Sequence, residues 1–277
     1  MVLVNKAGKT TDVVNPAFSR IHPRLNVVYT CTEDIEENGR ILAYQMGPDG
    51  ALELMGSVDA GGTSTCYLTI DRAQRNILAV NYWDSTLAVI PLDQQTGNFT
   101  GPIHSIYDPK QGRGMVSAPK KHGGVNHSNN DESTIAARQA DPHSHALVLD
   151  PYVGSVAYVP DLGKDLIREF WYDRRAASIQ MQLNEMPSGL CTGKPDGPRY
   201  IDFHPQHNIA YVVNELSSTV STVRALCIHL VCPCVPPVCC AGVVFNRNEP
   251  IDTESMYVSA SGQVRSRTRT RSRSYLL

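Results

Sequence analysis

One pattern recurs four times in this chain, and it leaves few folds open. Each copy is a β-rich run, a turn opening with His or Asp, a second run ending in a polar residue, a loop, and a third run. The turns start at His22, Asp71, Asp150 and His204, and three of the four continue with Pro. Their spacings are 49, 79 and 54 residues, the middle interval carrying an extra stretch of about 30. A period near 50 built from short β runs is the mark of a β-propeller. The reason is burial. One short four-stranded sheet has two apolar faces and covers neither alone, whereas sheets stacked around an axis cover both and leave only short edges. A β-sandwich also has closely spaced short strands, but it does not explain one turn–strand–polar pattern held at one spacing. No run in the repeats has the period of a long amphipathic helix. The expectation is an all-β, incomplete propeller of about four blades over residues 1–223, with an irregular C-terminal tail.

Hairpin geometry then sorts the polar residues. The start of one strand lies beside the end of the next. His143 and His145, at the start of a first strand, are expected near Asp161 at the end of its second. Arg199 is expected near Asn214 and Glu215. The matching strand ends in earlier units are Glu33-Asp34 and Asn81-Tyr82. All of these fall on one rim of the ring, and the Pro-containing turns fall on the other. Carboxylates after strands often do no more than accept loop N–H groups, which is the ordinary reading of Asp161 and Glu33. His143, Arg199 and Glu215 are different, because a base, a cation and a carboxylate converge by one rule. His143 and His145 are two residues apart and share a face.

Other chemistries find less support. The His143–His145 pair lacks a third ligand at a diagnostic spacing, so no metal is expected. There is no G-x-x-x-x-G-K-[ST], H-E-x-x-H or G-x-S-x-G element, and no cofactor is expected. Gly61-Gly62-Thr63-Ser64 precedes a strand without a following helix, so it is not read as a phosphate cradle. Residues 105–140 read as a long polar surface loop over the functional rim, a candidate substrate lid. The net charge is −2, but five arginines from Arg265 to Arg273 account for much of the positive side. Without them 20 basic residues face 27 acidic ones, a balance of −7. The folded part is therefore not expected to bind nucleic acid.

The C-terminal part breaks the pattern. Of eight cysteines, five crowd into residues 227–240 beside Pro233, Pro236 and Pro237. Those spacings fit no four-cysteine zinc site, and the prolines argue against a membrane helix over residues 225–244. Strand residues up to Val223 could instead resume at Val244-Phe245-Asn246-Arg247. Residues 224–242 are then a foreign Cys/Pro-rich insertion, such as translated intron. Residues 243–277 are a residual strand and a disordered Arg/Ser tail. The N-terminus lacks a charged-then-apolar signal architecture, so a cytoplasmic location is the default expectation.

At this point the residues carry a resemblance. Asn15-Pro16-Ala17-Phe18, Ala79-Val80-Asn81-Tyr82, Arg138-Gln139 before Pro142-His143-Ser144-His145, Asp161-Leu162-Gly163-Lys164-Asp165, Gly197-Pro198-Arg199, His204-Pro205 and Asn214-Glu215-Leu216 follow one another as in the seven-bladed propeller lactonase family. That family includes propeller-type 6-phosphogluconolactonases and the fungal carboxy-cis,cis-muconate cyclases. The resemblance covers about residues 15–223 and implies a seven-bladed lactonase-type propeller. It implies a site in which a histidine of the Pro-His-x-His segment (His143, with His145 beside it), Arg199 and Glu215 are catalytic. A further arginine of the family's site, in a later blade, has no counterpart. Asn81, Asp161 and Asn214 are the candidate substrate-binding residues.

The implied activity is lactone hydrolysis, with a small-molecule lactone or carboxylate as partner. A neutral histidine can take a proton from water near pH 7. An arginine can bind an anion or stabilise an oxyanion. The alternatives are a muconate-lactonising cyclase and a non-catalytic propeller that binds peptides. The resemblance also raises an expectation against activity. The family closes seven blades, only about four are counted here, and the first is read as lacking the family's opening strand. A ring left open exposes two apolar faces, so a poorly soluble and largely inactive chain is expected.

Overall fold

The computed structural model describes residues 13–108, 132–187, 195–207 and 209–224, with three two-residue strands beyond them. The first sheet is a meander of β1 (Pro16–Ile21), β2 (Val27–Thr32), β3 (Asn38–Met46) and β4 (Leu52–Thr63). The second is β5 (Thr65–Ile70), β6 (Asn76–Asn81), β7 (Leu87–Pro91) and β8 (Ser105–Tyr107). A short helix α1 (Glu132–Arg138) precedes the third, which is β9 (Val148–Leu149), β10 (Val156–Asp161), β11 (Leu166–Asp173) and β12 (Ser178–Pro187). The fourth is β13 (Pro198–Phe203), β14 (Ile209–Asn214), β15 (Thr219–Arg224) and β16 (Phe245–Asn246). A hairpin of β17 (Tyr257–Val258) and β18 (Val264–Arg265) follows. The four sheets are propeller blades, each antiparallel and in chain order.

Alternation along the middle strands explains the stacking. In the second blade Ile77, Ala79, Ala88 and Ile90 face the first, where they meet Tyr29, Ile41 and Ala43. One residue across the pleat, Leu78, Val80, Leu87 and Val89 face the third and meet Ala157, Val159, Phe170 and Tyr172. A strand covered on both faces reads as continuously apolar, and Asn76–Asn81 is buried throughout. A third cluster joins Ile167 and Met186 to Ile201, Ala210 and Val212 of the fourth blade.

The four turn starters do one job. Asp71 accepts from Arg75 N at 2.8 Å, and Asp150 accepts from the amides of Tyr152, Val153, Ser155 and Val156. His22 Nδ1 accepts from Arg24 and Leu25 N, and His204 Nδ1 from Gln206 and His207 N. A carboxylate and a neutral imidazole thus substitute for one another as caps of the same turn.

Three expectations change. The first blade does have its opening strand: β1 pairs with β2 from Pro16↔Thr32 to Ile21↔Val28. The stretch read as one long loop supplies β8, which completes the second blade, and α1; its residues 109–131 lie outside those described. The run expected to resume the strand ending at Val223 is instead a separate fourth strand of the fourth blade, with Phe245 and Asn246 paired antiparallel to Val223 and Thr222. Residues 225–244, which hold the Cys/Pro-rich run, lie outside the described residues.

Candidate functional site

The rim is built by one recurring contact. The residue just past each second strand donates its amide to a residue ahead of the first: Glu33 to Asn15, Tyr82 to Ser64 and Glu215 to Gly197 directly before it, and Leu162 to His143, which precedes the Ser144↔Asp161 bridge. This makes two rows one residue apart. Thr32, Asn81, Asp161 and Asn214 form one. Glu33, Tyr82, Leu162 and Glu215 form the other.

The first row is spent inside the blades. Asn81 is fully buried, accepts from Thr65 Oγ1 at 2.7 Å and donates to Ala60 O and Thr86 Oγ1. Asn214 donates to Thr219 Oγ1 and Ser221 Oγ. Asp161 is fully buried, takes the amides of His143 at 2.8 Å and Lys164 at 3.2 Å, and faces Arg168 Nη2 at 3.0 Å. Burial raises its pKa against the pull of Arg168. The three residues expected to bind substrate are thus each held by hydrogen bonds to neighbouring strands and turns. A strand's polar end offers two consecutive candidates, and the pleat sends only one to the rim.

The second row meets the other expected residues. Glu215 is ion-paired to Arg199 through one oxygen, while its other oxygen takes Arg138 Nη2 at 2.6 Å. Burial opposes a charged Glu215, yet the two guanidiniums outweigh it and hold its pKa below the ordinary glutamate value. Arg199 is aimed there by a β-bulge. The register of β13 on β14 shifts between Pro198 and Tyr200, which leaves Arg199 out of the ladder. The same shift recurs in the first two blades. Gly197 precedes it at φ +63°, where a Cβ would lie 2.5 Å from Leu216 Cγ.

The histidines stand beside this clamp. His143 stacks on Tyr82 with ring centres 4.8 Å apart and meets Trp83 edge-on. Its Nδ1 lies 3.3 Å from Tyr82 O. A carbonyl only accepts, so Nδ1 is the donor in this contact. His145 is wedged edge-on between Tyr82 and Tyr200. Burial, reinforced by Arg199, pushes its pKa down to about 3, so it is neutral at pH 7. The Tyr82 ring touches both histidines, and burial raises its phenol's pKa against the nearby Arg138.

Arg138 joins this cluster through Glu215 without having been among the candidate residues. It sits in the last turn of α1, outside every repeat, and its signal was its place just before Pro142-His143. Among the described residues, no group of three or more His, Cys, Asp or Glu could hold a metal ion. No described helix is long and apolar enough to cross a membrane.

Residues 3–227 match a family model described as lactonase, 7-bladed beta-propeller. The 6-phosphogluconolactonase of Formosa agariphila is 25% identical over 224 residues, 79% of this chain and 56% of its own. That of Bacillus subtilis is 27% identical over 208 residues, 74% of this chain and 50% of its own. The chain spans about half the length of these curated relatives. The periplasmic gluconolactonase of Pseudomonas aeruginosa superposes with a TM-score of 0.63 at 18% identity, covering 92% of this chain and 65% of that one. A Bacteroides uniformis protein does so with a TM-score of 0.64 at 21% identity, covering 94% and 67%. At these identities the structural likeness is one of fold.

Proposed function

Because the chain belongs to the seven-bladed β-propeller lactonase family, we propose that its rim binds and hydrolyses an anionic sugar lactone of the 6-phosphogluconolactone type. The observation that carries this reading is the Arg138–Glu215–Arg199 clamp beside two imidazoles. His143 Nε2 takes a proton from water as the water oxygen bonds to the lactone carbonyl carbon. The carbonyl oxygen becomes an oxyanion within reach of Arg199. Collapse of that oxyanion breaks the ring C–O bond. The leaving alkoxide regains the proton from His143, giving a hydroxy acid. His145, held neutral and weakly basic, is a poor base, which favours His143 for that role.

Steady-state assays with 6-phosphogluconolactone, gluconolactone and carboxymuconate test this, using wild type, Arg199→Ala and His143→Asn. Turnover of a lactone that both substitutions reduce supports it. Turnover of carboxymuconate alone would transfer the site to a lactonising cyclase. Peptide binding without turnover of any of the three would make the propeller a binding module.

A further inference from the structure

We propose that Arg138 gives this rim its preference for anionic over neutral lactones, by neutralising Glu215 so that the charge of Arg199 serves the substrate. The proposal rests on the lactone-hydrolase reading and deepens it. Two arginines face one glutamate, so the trio carries one net positive charge. Without Arg138, Arg199 and Glu215 are a one-to-one pair with no surplus. His145 adds no charge, since it is neutral at pH 7.

Exposure divides the labour between the arginines. The Arg138 side chain is 10% exposed and that of Arg199 33%, so Arg199 is the one a ligand can reach. Arg199 also lies over the Tyr200 ring at 5.4 Å, which leaves it supported while an anion approaches. Arg138 is anchored from behind. Gln139 Nε2 donates to Leu162 O at 3.3 Å and Lys164 Nζ to Ala140 O at 2.8 Å, tying the end of α1 to the third blade. Glu215 belongs to the fourth. Arg138 is thus a positioning residue that reaches across a blade boundary to one oxygen of Glu215 and leaves the other to Arg199.

A purely structural tie would have the same contacts, so the test reads charge selectivity. The quantity is the ratio of kcat/KM for 6-phosphogluconolactone to that for gluconolactone, in which a shared defect cancels. Arg138→Gln should lower this ratio on the order of tenfold, mainly through KM for the phosphorylated substrate. Arg138→Lys should retain most of it. Glu215→Gln, which leaves two uncompensated arginines, should move the ratio the opposite way. Equal losses on both lactones in Arg138→Gln would overturn the proposal. If that variant does not fold, an unchanged or lowered ratio in Glu215→Gln overturns it instead. A wild-type protein that hydrolyses neither lactone removes the underlying reading, and this inference with it.

Discussion

Gly163 presses its bare Cα against the backbone of Asp141: a Cβ built there would lie 1.8 Å from the Asp141 carbonyl oxygen and 3.0 Å from His143 N. The Asp161-Leu162-Gly163 segment is therefore a mould for the strand start that carries the histidines. Gly163→Ala must push residues 141–143 away. We expect a loss of about 2 kcal/mol or more in urea unfolding, and a larger fractional loss of lactone turnover than of folded protein. Wild-type stability in the alanine variant would contradict this packing.

The two histidines should separate in kinetics. His143→Gln removes the assigned base and should lower kcat by about 100-fold or more. His145→Gln should cost less, because an imidazole with a pKa of about 3 contributes little basicity at pH 7. Initial-rate measurements on folded variants decide it, and the reverse order would reassign the base to His145.

Acid should destabilise the fold through His145. Its folded pKa, about 3, lies below the ordinary value of 6.5, so the unfolded chain binds the extra proton between those values. Its contribution is fully present above about pH 6.5 and is lost as pH falls towards 3, with a slope of up to about 1.4 kcal/mol per pH unit. Denaturant titrations from pH 7 to 4 on wild type and His145→Phe should show a shallower pH dependence in the variant. Parallel curves would show that His145 does not titrate this way.

Tyr172→Phe tests the joint between the second and third blades. Tyr172 Oη donates to Asp71 Oδ2 at 3.0 Å and accepts from Asn76 Nδ2 at 3.0 Å. Its loss leaves a buried carboxylate short of one donor, at a cost of about 1–3 kcal/mol. A thermal or urea melt measures this. A neutral result would mean that the carboxylate finds another donor.

The blades were legible in the sequence because their information is periodic. His22, Asp71, Asp150 and His204 recur at nearly one spacing, and each caps a turn with its side chain. Arg199 and Glu215 were legible for the same reason, since hairpin geometry puts a first-strand start beside a second-strand end. The contacts of Asn81, Asp161 and Asn214 within and between blades were not legible, because neighbouring polar residues at a strand end look alike until the pleat is seen. Arg138 could not be found by period at all. It is delivered by a helix between blades, and only the fold brings it to Glu215, 77 residues later in the chain.

The two rows at the strand ends have an evolutionary consequence. Which contacts a residue makes is a matter of parity: Asn214 bonds within its blade and Glu215 meets the two arginines because an unbroken run of residues connects them to the buried Val212. A single-residue insertion or deletion within β14 would exchange those duties without changing any side chain. A length change inside a second strand flips this parity, whereas one in a loop distant from the rim does not. The spacing from turn cap to rim is thus the part of this protein that drift can least afford to edit.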